Sequence, residues 1–189
     1  MRKLGCIVQK VDANTCRLFS INNVPPKDYF QIMGIHQSFD ISQQELKQIY
    51  REHMKILHPD KHTLKSREEQ ESTAKLAGEV TSGYEVLKDS YERALHILEL
   101  NGNKMNDDIS GNILGHEFLM DVMDLREHID GTKDPDELKR LMVENQGRIE
   151  ETCDELALAF SNNDLDEAKR LAAKLQYWNR IRETVNEKL

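Results

Sequence analysis

His58-Pro59-Asp60 stands where one amphipathic pattern stops and, a few residues on, another starts, and no other feature restricts the fold of this chain so closely. Proline fixes its own φ and pushes the preceding residue out of the α region, so a helix arriving from the N-terminal side ends just before Pro59. Upstream, Leu46, Ile49, Tyr50 and Leu57 recur at helical spacing. Ser42 with Glu45 forms a capping-box pattern that starts this helix. Downstream, Ser66 with Glu69 repeats the box, and Leu76, Ala77, Val80, Tyr84 and Leu87 make one apolar stripe. Two such helices joined by a short polar loop predict an antiparallel hairpin with the tripeptide at its tip.

The flanking segments continue the helical pattern. After Pro25-Pro26, Asp28 precedes a short run of Tyr29, Phe30, Ile32 and Met33, closed by Gly34. Asp89 with Glu92 caps a further helix through Ala94, Leu95, Ile97 and Leu98, and Asn101-Gly102 supplies a left-handed stop. Residues 102–115, GNKMNDDISGNILG, read as a linker. Three helices follow. One runs from about His116 to Asp130 and is expected to end at Gly131. The next starts at Asp134-Pro135 and carries Leu138, Leu141, Met142, Ile149, Leu156 and Phe160 on one stripe. The last begins at Asp164, with Glu167 completing a box. Short loops between long amphipathic helices imply antiparallel neighbours, hence a three-helix bundle. The expected fold is all-α, with no strand pattern: an N-terminal extension 1–27, a hairpin domain 28–101, a linker 102–115 and a bundle 116–189.

Composition narrows the function. A formal net charge of −8 argues against a general nucleic-acid binder, which needs excess cations to displace counterions. No apolar run approaches the roughly 18 to 20 residues of a membrane span. Three cysteines, Cys6, Cys16 and Cys153, make no disulfide framework. The N-terminus carries Arg2, Lys3, Lys10 and Arg17 against Asp12, which fits either a mitochondrial presequence or a disordered basic tail. On this acidic chain, Lys47, Arg51 and Lys55 recur at i, i+4, i+8 and lead to His58-Pro59-Asp60 and Lys61. Such a stripe is either a solvated helix face or a surface that steers an acidic partner. A metal site from His53, His58, Asp60 and His62 is disfavoured, because His53 and His58 project about 140° apart on an ideal helix.

ELKQIYREHMKILHPDK (45–61) and YEVLKDSYERAL (84–95) resemble the J-domain, and the resemblance runs from residue 28 to 98. It implies that His58, Pro59 and Asp60, with Lys47, Arg51, Lys55 and Lys61, contact a DnaK-type chaperone and stimulate its ATP hydrolysis. The hydrolysing groups belong to that partner, so no catalytic residue is expected here. His53, Thr81 and Ser90 depart from the usual apolar, asparagine and proline residues.

The helix from 116 to 130 has two apolar sides. Phe118, Val122, Leu125 and Ile129 cluster on one, while Leu119, Met120 and Met123 fall on another with Asp124 and Glu127. A helix at the edge of a bundle needs one buried stripe, so the second is either covered by neighbours or a partner site. In the last helix, Leu171, Leu175, Trp178, Ile181 and Val185 share a sector, and Tyr177 points away from its centre. GHEFLMDVMDLREHID (115–130) and AKLQYWNRI (173–181) are similar to the HscB family, J-domain co-chaperones of iron–sulfur cluster assembly. That resemblance assigns Leu119, Met120, Met123, Asp124, Glu127 and Tyr177 to contact with the iron–sulfur cluster scaffold protein. It implies an HscA-type chaperone as the other partner, and a mitochondrial matrix location, or a cytoplasmic one in a bacterium. Some relatives add a metal module of paired CxxC motifs. Cys6 and Cys16 alone cannot complete a tetrahedral zinc site, so neither metal nor cofactor is expected. The alternatives are a general J-protein for unfolded clients and a direct carrier of iron or clusters.

Overall fold

A computed structural model describes residues 27–61, 66–105 and 113–189. Residues 1–26 of the expected N-terminal extension, with Cys6 and Cys16, His62, and half of the expected linker lie outside the described residues. Among those described, regular structure is entirely helical: α1 (Tyr29–Met33), α2 (Gln43–Leu57), a 3-10 turn (Pro59–Lys61), α3 (Arg67–Lys88), α4 (Ser90–Leu100), α5 (His116–Gly131), α6 (Pro135–Ser161) and α7 (Leu165–Lys188).

Local chemistry sets these boundaries. Side-chain oxygens of Asp28, Ser42, Ser66, Asp89, Asp134 and Asp164 each accept a backbone N–H of the first turn that follows. Of the expected capping boxes, the one at Ser66 closes in both directions. At Asp164 only the forward arm forms: the Asp164 N–H donates to the Ala159 carbonyl at 2.9 Å, and the Glu167 carboxylate pairs with Arg170. Gly34 and Gly102 stop α1 and α4 at φ of +70° and +74°. Gly131 does not stop α5 as expected. It is the last helical residue, and Thr132 ends the helix by turning extended while its Oγ1 donates to the His128 carbonyl at 2.8 Å.

The α2–α3 hairpin forms as the pattern requires, pinned at its base by Gln43 Nε2 donating to the Lys88 carbonyl and by stacking of Tyr50 on Tyr84. Leu76 is an exception to its stripe and stays 45% exposed. α3 has 22 residues and α2 only 15, so the N-terminal part of α3 outruns its partner. α1 crosses α3 at Gly83, where an added Cβ would sit 3.2 Å from the Tyr29 ring. His96 of α4 locks α1 from behind: its Nε2 accepts the Tyr29 N–H at 3.1 Å and its ring stacks on Phe30. Burial lowers the His96 pKa from its ordinary value, against the opposing pull of Asp28 and Glu99.

The hairpin unit and the bundle are not separated. α4 packs on α7, and one apolar cluster runs from Phe30, Leu46, Leu87 and Leu98 to Leu156, Leu171 and Leu175. Phe39, in the loop before α2, meets Phe160 of α6 with ring centroids 5.5 Å apart. A second cluster of Val122, Ile129, Leu138, Leu141, Ile181 and Val185 holds α5 against α6 and α7. Trp178 packs against both.

Candidate functional site

The hairpin tip is assembled by the end of α2. His58 caps that helix in an extended conformation (φ −59°, ψ 130°), and Pro59–Lys61 folds into one 3-10 turn closed by Lys61 N–H donating to the His58 carbonyl at 3.0 Å. The Asp60 amide donates to His58 Nδ1 at 3.3 Å. That bond places a lone pair on Nδ1 and leaves the proton on Nε2, the usual consequence of fixing one imidazole nitrogen. When the ring is protonated, Nδ1 instead faces the Asp60 carboxylate, 3.5 Å away. Both side chains stand in solvent, 57% and 87% exposed. The tip therefore offers a partner one ring N–H donor and one carboxylate acceptor, on a backbone stiffened by the fixed φ of Pro59.

Lys47, Arg51, Lys55 and Lys61 are all exposed. The three on α2 form a line about 120° round the helix from Leu46, Tyr50 and Leu57. None of the four makes an ion pair with another described residue. Elsewhere cations are taken up: Lys27 by Glu79, Arg67 by Glu71, Lys88 by Glu85, Arg140 by Glu137. The Lys27 contact is enough to lower the Glu79 pKa. His53, on the same helix, faces inward, with Nε2 3.3 Å from the Met33 carbonyl. It sits there as a polar substitute for an apolar contact.

The outer face of α5 has the opposite chemistry. Phe118, Val122, Leu125 and Ile129 pack inward. Leu119, Met120, Met123, Asp124 and Glu127 share an arc of about 140° on the other side. Met120 and Met123 are 50% and 61% exposed, Asp124 and Glu127 are exposed, and Leu119 is half-buried. Tyr177 is not off the face of α7 in the simple sense expected. It is half-buried, edge-on to Phe118 with centroids 5.9 Å apart, and the Arg180 guanidinium lies over its ring. The five α5 residues are gathered by helix geometry, whereas Tyr177 meets α5 at Phe118, on its inward side.

One feature that sequence reasoning missed is Arg93, on α4. It is buried, donates through Nη1 to the Leu87 carbonyl at 2.6 Å, and lies over the Phe39 ring. An arginine within an apolar helical run is the only signal it leaves in the sequence.

Residues 28–96 match the DnaJ domain family, and residues 114–186 match the family described as the HSCB C-terminal oligomerisation domain. The chain is 31% identical over 177 residues to the Iron-sulfur cluster co-chaperone protein HscB homolog of Arabidopsis thaliana, covering 93% of this chain and 69% of that one. It is 34% identical over 163 residues to the "J-type co-chaperone jac1, mitochondrial" of Schizosaccharomyces pombe, covering 85% and 66%. The chain thus spans about two thirds of these relatives' length. The crystal structure of human co-chaperone protein HscB superposes with a TM-score of 0.81 at 24% identity, over 95% of this chain and 91% of that one, which establishes the shared fold.

Proposed function

The chain belongs to the HscB family of J-domain co-chaperones of iron–sulfur cluster assembly, and from that premise we propose that it stimulates the ATPase of a DnaK/HscA-type chaperone while delivering the cluster scaffold protein to it. In this reading residues 28–101 act as the J-domain and 116–189 as the scaffold-binding bundle, with 102–115 between them. His58, Pro59 and Asp60 engage the chaperone, and Lys47, Arg51, Lys55 and Lys61 orient it. Leu119, Met120, Met123, Asp124, Glu127 and Tyr177 receive the scaffold. The protein supplies no catalytic group of its own. Its place of work is the mitochondrial matrix, in line with the fission-yeast relative named as mitochondrial.

The observation that carries this reading is the stripe of cations without a carboxylate partner among the described residues, ending at a turn whose His58 and Asp60 side chains both face solvent. A cationic path of this kind raises the rate of encounter with an acidic surface and fixes its approach. The α5 face works differently, since adaptable methionines rimmed by acids bind by excluding water. Both surfaces sit on elements tied by shared packing, so holding scaffold and chaperone on one body raises the effective concentration of each for the other.

The test is a stimulated-ATPase assay with chaperone, with and without scaffold. His58→Gln is expected to return hydrolysis to its unstimulated rate and to leave scaffold affinity unchanged. Loss of both together would refute the division between the two surfaces. Equal binding of the α5 face to a panel of unfolded peptides would support a general J-protein instead, and iron or a visible-absorbing cluster copurifying with the chain would support a carrier.

A further inference from the structure

Between the hairpin unit and the bundle lies a cleft of about 740 Å³. That volume falls in the range of small-molecule sites. It opens where the loop before α2 meets the C-terminal half of α6. Its walls are mixed: Phe39, Ile41, Ala157, Leu158 and Phe160 form an apolar side, and Gln37, Ser38 and Ser161 are among the polar residues beside it. Leu158 is 64% exposed, unusual for a leucine beside an apolar hollow. Arg93 and Cys153 also line the cleft.

The state of Arg93 is the informative part. The residue is 5% exposed and forms no ion pair with a described residue. Nη1 is satisfied by the Leu87 carbonyl, but among the described residues Nε has no hydrogen-bond partner, and Nη2 has only a 3.5 Å contact with Ser90 Oγ. Nε and Nη2 form one edge of the guanidinium, with parallel N–H bonds that match the two oxygens of a carboxylate. A buried cation with that edge unused is costly unless something completes it. The Cys153 thiol does not: burial raises its pKa, and it hydrogen-bonds Ser90. Asp40 and Asp154 border the cleft too, but both are exposed, where water weakens their opposition to an incoming anion.

We propose that this cleft is a binding site for a small carboxylate with an apolar tail, its head paired to the free edge of Arg93 and its tail against Phe39, Ala157, Leu158 and Phe160. Such a ligand satisfies the guanidinium and covers the exposed leucine in one step. It also lies against Phe39 and Phe160, the aromatic pair that joins the two halves, so its binding stabilises their docking. The site is separate from both proposed partner surfaces.

The probe is sodium decanoate at sub-micellar concentration, with decanol as the uncharged control, read by titration calorimetry on the full chain. Decanoate is expected to bind one-to-one and at least about ten-fold more tightly than decanol, as a charge-assisted pair requires. It is also expected to slow alkylation of Cys153 by N-ethylmaleimide, followed by peptide mapping so that Cys6 and Cys16 are scored apart. Arg93→Gln should remove the preference for the carboxylate. Because Arg93 also bonds the Leu87 carbonyl, Ala157→Phe serves as a second variant that fills the cleft and leaves the guanidinium in place. It should abolish binding while the circular-dichroism spectrum stays that of the parent. Equal affinity for acid and alcohol, unchanged Cys153 alkylation, or undiminished binding to a folded Ala157→Phe protein would each overturn the proposal.

Discussion

The hairpin tip and the outer face of α5 are both exposed, yet they are made of opposite materials. The tip is approached by lysines and an arginine that pair with no carboxylate among the described residues, on a helix whose apolar residues turn inward. The α5 face carries methionines that stay at least half exposed among the described residues, bordered by acids. Charge acts over about a Debye length and governs how a partner arrives. Apolar surface acts only once water is expelled and governs how long the partner stays. Surfaces built this differently answer to different conditions, salt for one and side-chain area for the other. Each can therefore be altered without disturbing the other, provided the core beneath them holds.

That proviso gives the largest expected effect. Leu156 is fully buried in the cluster shared by hairpin and bundle. Leu156→Ala should cost about 3 kcal/mol in urea denaturation, the usual price of a cavity. It should do so in one transition seen by probes on both halves. Two separated transitions would break the picture of a common core. Next comes the α5 face itself. Leu119→Ala with Met123→Ala should weaken scaffold affinity by about 2 kcal/mol, roughly 30-fold, mainly through faster dissociation. An unchanged affinity in a protein with a parent-like circular-dichroism spectrum would move the site elsewhere.

The stripe should give a smaller effect of a different kind. Lys47→Ala with Lys55→Ala is expected to slow chaperone association by about five- to ten-fold at low salt, with the difference shrinking as salt rises. Stopped-flow binding at two ionic strengths measures it, and a salt-independent loss would mean that the lysines act by direct contact. The smallest effect belongs to neither surface. His96 holds α1 as a neutral acceptor, and its pKa is lowered in the folded protein. The unfolded chain therefore takes up the proton first. The stability His96 provides is present above the unfolded pKa, near 6.5, and is lost as pH falls below that value towards the folded one. Melting temperatures from pH 8 to 5 should fall less steeply in His96→Gln than in the parent, and parallel curves would exclude this source.

Much of this was legible beforehand for local reasons. A cap, a proline or a left-handed glycine acts within four residues, so the starts of α2, α3, α4, α6 and α7 and the end of α2 could be placed from composition and spacing alone. The basic line on α2 was legible because helical periodicity needs nothing beyond the helix itself. Gly131 misled because a threonine one residue later could do the same work. Leu76 misled because a stripe shows which side of a helix is apolar and says nothing about how far the neighbouring helix extends.

By itself, then, the sequence determined the helices, their order, the turn at His58-Pro59-Asp60 and the two faces of α5, since each depends on residues a few positions apart. Only the tertiary structure decided that α4 packs on α7 to join hairpin and bundle, that Phe39 meets Phe160, that Tyr177 turns against Phe118, and that Arg93 lies buried with one edge unused. These depend on residues tens of positions apart in the chain. Their meeting reflects the burial of apolar surface between whole elements, which carries no short-range signature.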